Sequence, residues 1–342
     1  MVPVIVAAGR RPVSPAGEVR FGWCLLAALL TTTASVLAGS VRGLKTGELL
    51  LAAPGIFLLL AGYFGLASSG VRSALAAWIR HSPFRAALLL QALALPYLAY
   101  CVPLRCFSAA GLLALLFYLN LPLWILTFRT TGSHSPVTDF LALLLIWLPV
   151  ELRWMPPLWS WPPEQNGRFL YGVLGVILGL YLFDVVRALP DIGFTLVPRK
   201  RDWIVAGWAL LLFVPVALIL GGLSGFVGVG FHLPLPPAWN ALGRLLGIFL
   251  VTAVPEELLF RGLLQNLVRH WTGRPILALA VSASLFGLAH LNVGSRPDWR
   301  LALLATLAGL AYGGAYQASG RLIAAMLAHT FVNGLWLLLL KG

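Results

Sequence analysis

The sequence predicts an all-α fold, a polytopic transmembrane helix bundle of about 9–11 spans, and three observations carry that prediction. Only 10% of the 342 residues are charged while 60% are hydrophobic. A soluble domain carries about 25% charged residues, so a water-soluble globule is excluded. The mean hydropathy of +0.90 is concentrated in runs near the ~20 apolar residues that cross hydrocarbon, and nothing suggests the alternating strands of a barrel. The formal charge of +13 is spread singly or in short groups between those runs. That is the pattern of membrane orientation, not of nucleic-acid binding.

The first run, residues 22–41, follows Arg10, Arg11 and Arg20 and is long enough to span, which reads as a retained signal anchor. Runs at 48–67, 86–104 and 107–128 come next, the last two parted only by Arg105 and Cys106, which demands a tight turn. The run at 137–152 is short for a full crossing. Residues 153–166 set Trp154, Trp159 and Trp161 among four prolines and read as a stiff loop with its indoles at headgroup level. A run at 168–186 leads to the polar stretch 187–202, with Asp191, Arg199, Lys200, Arg201 and Asp202. That stretch is a natural seam between an N-terminal membrane region, 1–190, of unassigned role and a C-terminal one, 191–342. Beyond it lie runs at 203–223, 241–268, 275–293, 300–317 and 321–340. Taking the N-terminus as cytoplasmic places the larger share of Lys and Arg inside. Cys24, Cys101 and Cys106 have no zinc-ligand spacing and imply no disulfide framework.

A carboxylate inside a spanning helix costs at least about 2.5 kcal/mol and is by default a functional hypothesis. Most of the acids lie in loops or at span ends, where Asp139, Glu151 and Asp184 find relief from Arg153, Arg187 or snorkelling. Glu256 and Glu257 lie deep in the run 241–268. Successive helical residues point about 100° apart, so the two face different neighbours. Glu257 and Arg261, at i and i+4, share a face and neutralise each other, a structural tie more often than a catalytic device. Glu256 has no partner on its own helix, which suits a general base or proton shuttle.

Its partners must come from other helices. His81, His134, His232 and His270 lie in loops or at helix ends. His290 follows Phe286 by one turn in one apolar run, and His329 precedes Asn333 by one turn in another. Each alone reads as inter-helix glue; together, a Glu, two His and an Asn supply what water activation and oxyanion stabilisation require. Ala305, Gly309 and Gly313, with Ser282, Ala283 and Gly287, supply the small residues that let helices approach closely.

These residues form an ordered set: EExxxR at Glu256, Glu257 and Arg261, FxxxH at Phe286 and His290, HxxxN at His329 and Asn333. In this the chain resembles the CPBP-family intramembrane proteases, which include the type II CAAX prenyl endopeptidases and bacterial relatives. The resemblance covers about the last 100 residues, with the motif core near 241–340. It implies a domain at 191–342 that is an intramembrane endopeptidase acting on a membrane-associated peptide or protein, in a multi-pass protein of the bacterial inner membrane. Glu256 and His290 would activate a water, His329 and Asn333 would complete the site and steady the oxyanion, and Glu257, Arg261 and Phe286 would support it. Because the family is often labelled metalloprotease, zinc on Glu256, His290 and His329 stays an alternative. The absence of HExxH favours no obligatory cofactor. Partners are membrane lipid and a peptide or protein substrate, with no nucleic acid; the oligomeric state stays open. Two other readings remain: a catalytically silent peptide-binding or immunity-type protein of the same fold, and a proton-coupled transporter using Glu256 as relay, the latter weakened by the lack of inverted-repeat signs.

Overall fold

The computed structural model describes residues 20–80, 82–127, 135–155, 158–159, 168–226, 237–293 and 296–339. Helices are the regular elements of these residues, as they must be where hydrocarbon offers the backbone no partners. Seven of them are long and apolar enough to cross a membrane: Phe21–Val41, Thr46–Gly65, Pro83–Cys101, Ala109–Thr127, Phe169–Val186, Lys200–Leu223 and Trp299–Ser319. Two more apolar helices, Pro275–Ala289 and Leu322–Leu337, are shorter. The chain is an integral, multi-pass helical membrane protein. It divides into two compact units, Met1–Pro190 and Asp191–Gly342.

In the first unit α1 (Phe21–Val41) pairs with α2 (Thr46–Gly65), and α3 (Ser69–Ile79) follows after Ser68 caps it by accepting the Val71 N–H. The sequence runs did not mark α3, because its 11 residues are too few to span. The run 86–104 is divided at Ala92–Leu93 into α4 (Pro83–Gln91) and α5 (Ala94–Cys101). Next come α6 (Ala109–Thr127), α7 (Pro136–Glu151) and α8 (Arg168–Gly179), the last continuing as a wide-turned segment, Leu180–Val186. Asp139 accepts two hydrogen bonds from Arg187 Nε, at 2.9 and 3.2 Å, and one from Nη2 at 3.0 Å. Asp184 is paired with Arg72. Both inward acids of this unit thus have a cation from another part of the chain, the arrangement that lipid requires.

The indole loop differs in part from expectation. Trp154 is largely exposed, but Trp159 is 2% exposed, set edge-on against Tyr97 and Tyr171 at 6.4 and 5.2 Å. Trp159 therefore fills the core of the first unit instead of lying at headgroup level, because two aromatic faces compete for it more effectively than the interface does. Trp161 and the four prolines of that loop lie outside the described residues, as do His81, His134, His232, Arg10 and Arg11.

In the second unit α9 (Lys200–Leu223) packs on α14 (Trp299–Ser319) and α15 (Leu322–Leu339), and α13 (Pro275–Ala289) lies along α14. The run 241–268 becomes a longer, uneven helix: α10 (Ala238–Gly247), a wide turn at Ile248–Ala253, α11 (Val254–Glu257), a second wide turn at Leu258–Gln265, and α12 (Asn266–Thr272). Pro255 accounts for the first. It has no N–H to give the Val251 carbonyl and its ring crowds that turn, so the helix widens there.

The polar lead-in is tied to the turn between α14 and α15. Tyr316 donates its hydroxyl to the Asp191 carbonyl, the Leu322 N–H reaches Gly193 O at 3.1 Å, and Arg321 meets Asp202 at 3.0 Å. Gly193 has φ +65°, and a Cβ there would stand 2.5 Å from the Gly320 carbonyl, so only glycine fits.

The small-residue stripe closes the α13–α14 contact. A Cβ on Gly309 would lie 2.9 Å from Ala283 Cα, and one on Gly287 would collide with Thr306 Oγ1. Gly309→Leu must therefore push α13 away. The expected loss is about 1–3 kcal/mol, read as a lowered melting temperature of the detergent-solubilised protein; an unchanged melt would contradict this packing.

Candidate active site

The second unit brings the motif residues together from three helical segments. Glu257 and Arg261 are both fully buried, and Arg261 Nη1 donates to Glu257 Oε1 at 3.1 Å. The guanidinium also donates from Nη2 to the Gly309 carbonyl at 3.1 Å and lies over the Phe286 ring at 4.3 Å, with Tyr312 at 5.4 Å and Phe260 at 5.9 Å. One helical turn on, Gln265 Nε2 repeats the pattern on the Gly313 carbonyl at 3.3 Å. Arg261 and Gln265 thus match two carbonyls four residues apart on α14, at the glycines where the absent side chain leaves the carbonyl reachable.

Glu257 does more than pair with Arg261. Its Oε1 also accepts from His329 Nδ1 at 2.7 Å. On the other edge of the ring, Asn333 Nδ2 donates to His329 Nε2 at 3.1 Å. The two contacts assign the tautomer: the proton sits on Nδ1 and the lone pair on Nε2. Tyr312 stacks on the same imidazole, centroids 4.9 Å apart and planes at 14°, and Phe286 meets its edge at 5.9 Å. His329 is consequently held in plane by stacking and oriented by hydrogen bonds at both ring nitrogens.

His290 closes α13. Its Nδ1 donates to the Phe286 carbonyl at 2.8 Å, leaving Nε2 as an acceptor, and its ring packs 4.5 Å from Phe286. Glu256 Oε2 lies 4.0 Å from His290 Nε2 and 3.9 Å from His329 Nε2. These separations exceed direct hydrogen bonding and suit one bridging water. The side chain of Glu256 is 31% exposed, yet Oε2 itself is shielded and has no hydrogen-bond partner among the described residues. A buried carboxylate oxygen without a partner is costly, and here it is aimed between two imidazoles.

The site opens on a cavity of about 470 Å³ that His290, His329, Asn333 and Tyr312 line together with apolar side chains such as Phe213 and Trp336. One Asn333 N–H is engaged by His329; the other is available to a group in the cavity.

The zinc alternative requires three ligand atoms around one point. Among the described residues no three His, Cys, Asp or Glu side chains have that geometry. Moreover, His329 commits Nδ1 to Glu257 and Nε2 to Asn333. Zinc on Glu256, His290 and His329 would have to displace Asn333 from His329 Nε2.

Sequence reasoning missed three contributors. Tyr312 and Gln265 lie outside the motifs, and the bond from Glu257 to His329 spans 72 positions; no spacing rule on one helix reaches across the bundle. The signal that was available is the polar Gln265 at i+4 from Arg261, on the face that Glu257 and Arg261 already share.

A polytopic helical membrane protein that gathers a Glu, two His and an Asn beside an apolar cavity has the makings of an intramembrane protease. Residues 238–335, the segment carrying all three motifs, match the family described as Type II CAAX prenyl endopeptidase Rce1-like, which supports a CPBP-family intramembrane protease. No curated protein and no solved structure matches the chain.

Proposed function

We propose that the second unit is an intramembrane endopeptidase that hydrolyses a peptide bond of a membrane-associated substrate with a water activated by Glu256 and His290. The observation that supports this most is Glu256 Oε2, shielded and without a hydrogen-bond partner among the described residues, 4.0 and 3.9 Å from two imidazole Nε2 atoms. A water between them gives one proton to Oε2 and one to His290 Nε2, which turns an oxygen lone pair toward the cavity. As that oxygen attacks a carbonyl, Glu256 takes the proton and later delivers it to the leaving amine. The free Asn333 N–H faces the oxyanion, and Glu257, through His329, holds Asn333 at that station. The apolar cavity walls favour a substrate residue that is itself apolar.

Full-length protein in liposomes, mixed with a membrane-protein extract in ¹⁸O-water, should produce new C-termini carrying one ¹⁸O. A yield no higher than that of Glu256→Gln would refute the proposal and favour a silent peptide binder. A strong zinc chelator should leave the yield unchanged; loss of activity that added zinc restores would overturn the metal-free mechanism. Tyr312→Phe keeps the ring that stacks on His329 and should retain most activity, whereas Tyr312→Leu should lower kcat. Equal kcat for the two variants would remove Tyr312 from the account.

A further inference from the structure

The first unit contains a pair of thiols that proteolysis does not use. Cys101 ends α5, and the chain folds straight back on it: the Cys106 N–H donates to the Cys101 carbonyl at 2.9 Å, and the Arg105 N–H to Val102 O at 3.1 Å. The fold-back is tight enough to hold Arg105 at φ +56°, a left-handed conformation that a residue with a Cβ rarely adopts. The turn sets the two cysteines side by side in the fold-back, next to Tyr97, whose hydroxyl donates to the Ser108 carbonyl at 3.0 Å. They differ in access. Cys101 is fully buried and donates from Sγ to the Leu158 carbonyl at 3.3 Å, while Cys106 is only partly buried. Cys24, on α1, is 2% exposed.

We propose that Cys101 and Cys106 form a thiol–disulfide exchange site that closes to an intramolecular disulfide on reaction with a low-molecular-weight disulfide. Cys106, the accessible member, attacks the small disulfide as its thiolate and forms a mixed disulfide, releasing one small thiol. Cys101 then loses its proton and attacks the Cys106 sulfur, expelling the second small thiol. Two protein thiols are oxidised, one small disulfide is reduced to two thiols, and the sulfur–sulfur bond joins residues that the backbone turn already holds together. Closure removes the S–H that Cys101 gives to Leu158, one of the contacts between α5 and the segment that carries Trp159, which keeps its packing on Tyr97. Counted from a cytoplasmic N-terminus, the third apolar helix, Pro83–Cys101, ends on the far side of the membrane, the side where disulfides persist in bacteria.

The test uses membranes containing the full chain, treated with oxidised glutathione, quenched with acid, denatured and reacted with a polyethylene-glycol maleimide. The chain has 3 cysteines; the reduced protein should take an adduct on each, and the oxidised protein on Cys24 alone, with monomer mobility on a non-reducing gel. Cys101→Ser, which keeps size and polarity, should stop at a glutathione mixed disulfide on Cys106, and Cys106→Ser should keep both remaining thiols free. Adducts on all three cysteines after oxidation, a persistent mixed disulfide in the unmodified chain, or a disulfide-linked dimer would each overturn the proposal. None of these readouts depends on peptide cleavage.

Discussion

Arg261→Ala should be the most destabilising single substitution in the second unit, at about 3–5 kcal/mol. Its guanidinium is fully buried and meets Glu257, the Gly309 carbonyl and the faces of Phe286, Tyr312 and Phe260. Truncation leaves the Glu257 carboxylate in the bundle with His329 as its one remaining hydrogen-bond donor among the described residues, and it opens a gap between three aromatic rings. Removing both charges should cost less than removing one, so Glu257→Gln with Arg261→Met should melt above Arg261→Ala alone. Thermal melting in one detergent checks the order. If Arg261→Ala melts with the unmodified protein, the pair is not the structural tie described here.

Glu256→Gln is expected to do the opposite: full folding, and kcat lower by about 10²–10⁴, the usual worth of a positioned general base. Oε2 has no hydrogen-bond partner among the described residues, so amidation breaks no contact of that atom with them, yet an amide cannot take a proton from water. His290→Ala should lower kcat in the same way while leaving the Glu257, His329 and Asn333 chain in place. Circular dichroism melts beside single-turnover cleavage separate the two effects. A Glu256→Gln protein that melts early, or that cleaves at the original rate, would break the division of labour between the paired glutamates.

That division was half legible in the sequence. The 100° offset between neighbours put Glu256 and Glu257 on separate faces, and the four-residue spacing linked Glu257 with Arg261. The same spacing placed Asn333 beside His329, as the 3.1 Å contact has it. What spacing could not supply is the third dimension. The bond from Glu257 to His329 depends on how α15 packs against α11, and Tyr312 reaches the imidazole through the packing of α14 against α15. Helix interruptions were also hidden. Pro255 was visible, but hydropathy averages over the wide turn that it causes, so residues 241–268 read as one uniform run. Trp159 was misplaced for a related reason: tryptophan suits both an interface and an aromatic core, and only the positions of Tyr97 and Tyr171 decide between them.

The central claim is that Glu256 is the base of a working protease. Its most direct measurement compares membrane and secreted proteins of cells carrying the unmodified chain with those of cells carrying Glu256→Gln at equal expression, by mass spectrometry of protein termini. At least one precursor should accumulate uncleaved in the mutant cells and appear as product in the others. Identical sets of termini in both would contradict it.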